Sequence, residues 1–227
     1  MPQTLRDVSL VRYTAAEERL NAATHAVGAA AGIAALILTL RLTLPSGSPR
    51  HIVSGAVYCL SLIVLYTAST VYHALPADAA GLKKAARVVD HSMVAILIAG
   101  TATPCALVSL YNRDVRYCAA VLIIGWGSAA ASLIAKLFFF ETSKAFCMVL
   151  YIVSGAVMLA CSLPFLPSLN PRAMRLLVLG CAVYLVGAVL FGVGARVKYV
   201  HALFHVFILA GSLLHFHVIY RYVLTVI

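Results

Sequence analysis

His201 and His205 in "HALFH" are four residues apart, so on a helix their imidazoles lie one above the other and can hold one metal ion between them. A third histidine from another helix would complete a tetrahedral set with one position left for water, the arrangement of catalytic rather than structural zinc. His73 is placed to supply it. No glutamate lies within "HALFH", so a general base has to come from elsewhere, and Asp90 is the carboxylate at the matching depth. Zn2+ lowers the pKa of bound water toward about 7, which leaves Asp90 only to orient or deprotonate it, and the dication in turn favours the charged carboxylate. The same residues admit a plainer reading, in which the histidines bond to neighbouring backbone or water and hold no metal. Ser69, four residues before His73 on the same face, stands between a catalytic or substrate-orienting role and simple hydrogen bonding between helices.

The elements that must bring these groups together are legible from composition. Of 227 residues 63% are hydrophobic and only 11% charged, against about 25% charged in soluble domains, so the chain reads as an integral membrane protein. Seven apolar runs, at about 22–40, 52–75, 88–110, 117–135, 145–165, 176–193 and 200–223, can each cross roughly 30 Å of hydrocarbon as a helix. Short polar separators join them, and the whole of 1–227 is expected to form one all-α bundle with 1–21 as a cytoplasmic N-terminal segment. Ten of the 17 Lys and Arg fall on the N-terminal side, which favours the N-terminus inside and, with seven spans, the C-terminus outside. Because successive helices alternate in direction, His73 at the end of the second, Asp90 at the start of the third, His201 and His205 at the start of the seventh and His25 at the start of the first all arrive in one layer. Ionisable groups within a span cost about 2.5 to 3.5 kcal/mol on insertion scales, so such a convergence calls for a function.

Faces agree with depth. His201, His205, Ile208, Ser212 and His215 form one stripe, with His217 pointing away, and Asp90, Val94, Leu97 and Thr101 form another. His91 is expected to pack or to support the site; His51, His215 and His217 belong to the outer half or rim, where interfacial hydration accounts for them. Gly28 and Gly32 make a GxxxG helix contact, and Pro104 a kink. The net charge of +10 is scattered, without the stripe a nucleic-acid surface needs, so lipid headgroups are the expected partner. Six single cysteines support neither disulfides nor a thiolate metal site. Thr14 and Glu17 have capping-box spacing, and a short amphipathic surface helix is expected ahead of the first span, with no cleavable signal peptide.

The stretches "EERLNAATHAVG", "STVYHAL", "RVVDHSMVAILIAGTATP" and "VHALFHVFILAGSLLHFH" resemble the hemolysin III family, bacterial relatives of the progestin and adiponectin receptors in a superfamily that includes alkaline ceramidases. The likeness runs from about Glu17 to Val218. It implies seven membrane helices in a bacterial inner membrane, a cytoplasmic amino terminus and a zinc ion near the cytoplasmic face, held by His73, His201 and His205, with Asp90 on the zinc-bound water and Ser69 beside it. Glu18, Asn21 and His25 match the family's first motif, in a structural or proton-transfer role. Ala102 and Phe204 stand where relatives commonly have an aromatic and a tryptophan, which bears on pocket shape and substrate. Ceramidase-like relatives imply hydrolysis of a lipid amide or ester. A pore-forming cytolysin and a receptor with structural zinc are the alternatives; no lysine lies mid-way along the seventh helix for a retinal Schiff base.

Overall fold

A computed structural model describes residues 4–162 and 170–225. Its framework is seven helices: α1 (Ala15–Thr43), α2 (Pro49–Ala74), α3 (Ala80–Pro104), α4 (Val115–Phe139), α5 (Lys144–Ser162), α6 (Pro171–Gly194) and α7 (Val200–Val218). All seven are long and apolar enough to cross a membrane, and large apolar side chains such as Val27, Ile123 and Val189 face outward. Local chemistry sets the ends. Thr14 caps α1 in a capping box with Glu17; Asp114 caps α4; Asn170 accepts from the backbones of Arg172 and Ala173 at the head of α6, with Pro171 in its first turn. Beyond Pro104 the helix passes into a π turn, Cys105–Leu110, and α7 does the same at Ile219–Val223.

Neighbours in sequence pack together from α1 to α5, α6 packs on α7, and α7 returns to α1. α2 is central, its Tyr58, Cys59, Leu62 and Tyr66 forming a core with Ala35, Leu97 and Ile219. A Cβ on Gly28 would lie 2.6 Å from the Tyr66 ring, and one on Gly32 would lie 3.0 Å from Ile63. The GxxxG pair is thus the α1–α2 contact. Ser212 of α7 ties three helices, accepting from Tyr66 Oη at 2.7 Å, lying 2.8 Å from Tyr184 Oη, and presenting its carbonyl to Tyr58 Oη. α5 and α6, by contrast, face each other across a cavity and scarcely touch.

Three expectations need correction. The helix expected ahead of the first span is no separate surface element: capped by Thr14 and Glu17, it forms the opening turns of α1 itself, and the segment before it is one 3-10 turn, Leu5–Asp7, followed by chain without regular structure. Tertiary partners take up its polar groups: Ser9 donates from N and Oγ to Glu141 at 2.9 Å, Arg87 donates to the Ser9 carbonyl, Lys84 donates to Arg6 O at 2.6 Å, and Val8 is buried with Val88 and Phe140. A short isolated helix offers no such partners. Next, α3 begins eight residues before the apolar run at Val88, because Lys83 and Arg87, counted by sequence as loop cations, are themselves buried and paired. Finally His215 is not hydrated at a rim. It is 4% exposed, packs on Gly180 and has Nε2 3.2 Å from Leu177 O. The expected end of the fifth span at Phe165 lies outside the described residues.

Candidate metal centre

The start of α1 builds the site. Glu17 accepts from Thr14 N and Oγ1 through Oε2 and from Tyr199 N through Oε1 at 3.0 Å, so one carboxylate joins the heads of α1 and α7. One residue on, the helix turns about 100° and Glu18 points inward, where Oε2 lies 2.6 Å from His73 Nδ1 and Oε1 lies 2.8 Å from Lys83 Nζ. Lys83 also donates to Leu75 O, the cap of α2, at 2.7 Å. Another turn along, the carbonyl of Asn21 and the hydroxyl of Thr24 both lie 3.2 Å from His205 Nδ1.

These contacts fix tautomers. A carbonyl oxygen only accepts, so His205 Nδ1 carries hydrogen, and beside the Glu18 carboxylate so does His73 Nδ1; in both rings the lone pair is left on Nε2. His73 Nε2 is buried and has no hydrogen-bond partner. His73, His201 and His205 each offer a nitrogen, all within 4.8 Å of one another, and the rings are 4.6 to 5.2 Å apart. All three are buried. Three imidazoles, two of them oriented through their second nitrogen, fit a divalent metal of the zinc type, and the partner on that nitrogen is the usual support of a ligating histidine. The trio could hold a metal ion.

Around it the sequence-derived residues fall into place. Asp90 and Ser69 line the same cavity as His201 and His205. Ser69 is 1% exposed and its hydroxyl stands beside the Asp90 carboxylate. His25 stacks on His205 at 3.5 Å between centroids, with neither ring nitrogen bonded, and the Asn21 amide is likewise buried and unbonded. His91 sets its edge against Phe140 and Phe191. Tyr13 lies outside the spans and stacks on His201 at 5.1 Å, closing the site on its aqueous side; burial foremost raises the pKa of its phenol. What sequence reasoning missed is the role of Glu18, which it met only as part of a motif, and the burial of Lys83 against it. A carboxylate seven residues before His25 on one face was the available signal.

The cavity measures about 440 Å³ and runs from His205 and Asp90 to His215, between α3, α5 and α6, with mostly apolar walls. Comparison with known proteins identifies the family. Residues 13–216 match the family model described as Haemolysin-III related. The chain belongs to the hemolysin III family. It is 32% identical over 200 residues to the Hemolysin-3 homolog of Bacillus subtilis (strain 168), covering 88% of this chain and 91% of that one. It is also 32% identical over 208 residues to Hemolysin-3 of Bacillus cereus, covering 92% of each. As a hemolysin III protein with seven apolar helices, it is an integral membrane protein.

Proposed function

We propose that this protein is a zinc-dependent hydrolase of a lipid amide or ester, acting at the cytoplasmic leaflet of a bacterial inner membrane with its N-terminus in the cytoplasm and its C-terminus outside. The observation that carries this is the trio of buried imidazoles at one end of an apolar cavity whose wall also bears Asp90 and Ser69. His73, His201 and His205 hold the ion. When bound there, Zn2+ supplies a Lewis acid and a water of lowered pKa. Asp90 accepts the proton of the attacking water and returns it to the leaving group. Ser69, beside Asp90 on the cavity wall, donates a hydrogen bond to the carbonyl oxygen as negative charge develops on it. The apolar cavity takes the chain of the substrate, placing its labile bond beside the headgroup layer.

Elemental analysis of the purified protein tests the metal, with about one zinc per chain expected and near none in His205→Ala. Turnover of a ceramide-like panel tests the chemistry. Asp90→Ala should retain zinc and abolish hydrolysis; activity surviving that substitution removes Asp90 as the base.

The names of the Bacillus relatives favour one other reading, membrane lysis. A pore needs polar lining across the full thickness, and the cavity wall between the two ends is apolar, so lysis would require several copies. Dye release from liposomes that is indifferent to His205→Ala would support it.

A further inference from the structure

Lys136, in the last turn of α4, is 3% exposed and lines the cavity. Among the described residues no carboxylate and no hydrogen-bond acceptor pairs with it. Its ammonium instead lies 5.1 Å from the centroid of the Phe140 ring. The carboxylate in its vicinity, Glu141, is committed elsewhere: Lys144 and the Ser9 backbone and hydroxyl hold it, and Arg87 approaches to 3.6 Å. Three cations therefore share one carboxylate in this corner. Lys144 and His91 also face the cavity, while Asp90 stands on the side of the three imidazoles. The carbonyl end of α4 and the Phe140 face offset part of the charge. They do not replace an anion, since an unpaired buried ammonium is costly unless it is matched by opposite charge.

The walls beyond Lys136 indicate what carries that anion. Val94, Leu97, Ile152, Met158 and Ala188 present hydrocarbon, and the volume of about 440 Å³ is that of a site for one small ligand. α5 and α6 both line it and scarcely touch each other. We propose that Lys136 anchors the anionic head, a carboxylate or a phosphate monoester, of a single-chain amphiphile whose tail occupies the cavity. The inference concerns binding and stands whether or not the protein turns a substrate over.

The test uses the full chain, delipidated in non-ionic detergent, and three probes with one tail and different heads: palmitate, hexadecyl phosphate and hexadecanol. At least one anionic probe should bind about tenfold or more tightly than hexadecanol, the worth of a charge-assisted contact. Preference for palmitate identifies a fatty-acid carboxylate as the source, and preference for hexadecyl phosphate identifies a lipid phosphate. The preference should collapse in Lys136→Met and Lys136→Gln, each checked for helicity and thermal midpoint, and persist in Lys136→Arg. It should also survive removal of metal by chelator. Equal binding of all three probes, or a preference unchanged in both neutral variants, overturns the proposal. So does a preference lost with the metal but kept without the lysine, which would put the anion on the ion, and so does displacement by inorganic phosphate at the same concentration.

Discussion

Replacing Glu18 with alanine withdraws the acceptor from His73 Nδ1 and strands Lys83, whose side chain is 5% exposed, beside it. Two effects then act against metal binding. His73 loses the charge-assisted bond that holds its ring and its tautomer, worth about 1.5–3 kcal/mol, and the uncompensated ammonium of Lys83 repels a dication. The first effect alone converts to about 10- to 100-fold in affinity, the range found when the partner of a ligating histidine is removed. Because the Glu18 side chain is 17% exposed, water replaces part of what is lost, and the lower half of that range is expected. Glu18→Gln keeps an acceptor for Nδ1–H and gives up the charge, so it should fall between wild type and alanine. Lys83→Met, which leaves the carboxylate on His73, should bind metal at least as well as Glu18→Ala. Competition between purified protein and a chelator for zinc, with a parallel titration by Co2+ read in the visible spectrum, measures this. Melting of the metal-free proteins separates a folding defect from a ligand defect. Wild type binding one ion and Glu18→Ala binding it equally tightly would refute the reasoning.

Gly28→Ala should lower the thermal midpoint by the equivalent of about 1–3 kcal/mol, since its Cβ would meet the Tyr66 ring at 2.6 Å, whereas Gly127→Ala, with nothing within 4 Å, should not. His215→Ala removes a second contact from the Leu177 carbonyl, which keeps its bond within α6, and opens a void against Gly180, costing about 2–4 kcal/mol. It lies ten residues, about 15 Å, along α7 from His205, so zinc content should not change. Burial works against ionisation of Glu141, but its bonds from Lys144 and Ser9 outweigh it and hold the carboxyl below its ordinary value of 4.5. The stabilisation is therefore full above that value and disappears as pH falls through the lower, folded-state pKa. Hydrogen exchange over residues 4–14 should accelerate below pH 4.5, and Glu141→Gln should show the acceleration already at neutral pH.

The stripe on α7 was legible because helical period and membrane depth are both fixed by geometry: His201, His205, Ser212 and His215 are all buried on one side, and His217 is exposed. Asp90, Val94, Leu97 and Thr101 line the cavity as their spacing required. Seven spans followed from composition for the same reason, although their ends did not. Apolar runs mark where hydrocarbon touches the chain, whereas α1 and α3 continue past it by seven or eight residues on the strength of Glu17 bonded to Thr14 and Tyr199, of the Glu18–Lys83 pair, and of Arg87 held by Ser9 and Glu141. Pairings across helices carry no periodicity. Nothing in the spacing of Glu18 and His73, 55 residues apart, announces a bond, and nothing in a histidine near the C-terminal end of α7 distinguishes hydration from the Leu177 carbonyl.

Tyr199, immediately before α7, has φ 64°, a left-handed backbone that disfavours any residue with a side chain by about 1–2 kcal/mol. Its N–H is gripped by Glu17, and its carbonyl receives the first bond of α7 from Leu203. The chain thus enters the helix through a bent joint clamped on both sides, two residues ahead of His201. A glycine there would sit more comfortably and aim less well, so the local discomfort of one tyrosine sets the bearing of an imidazole.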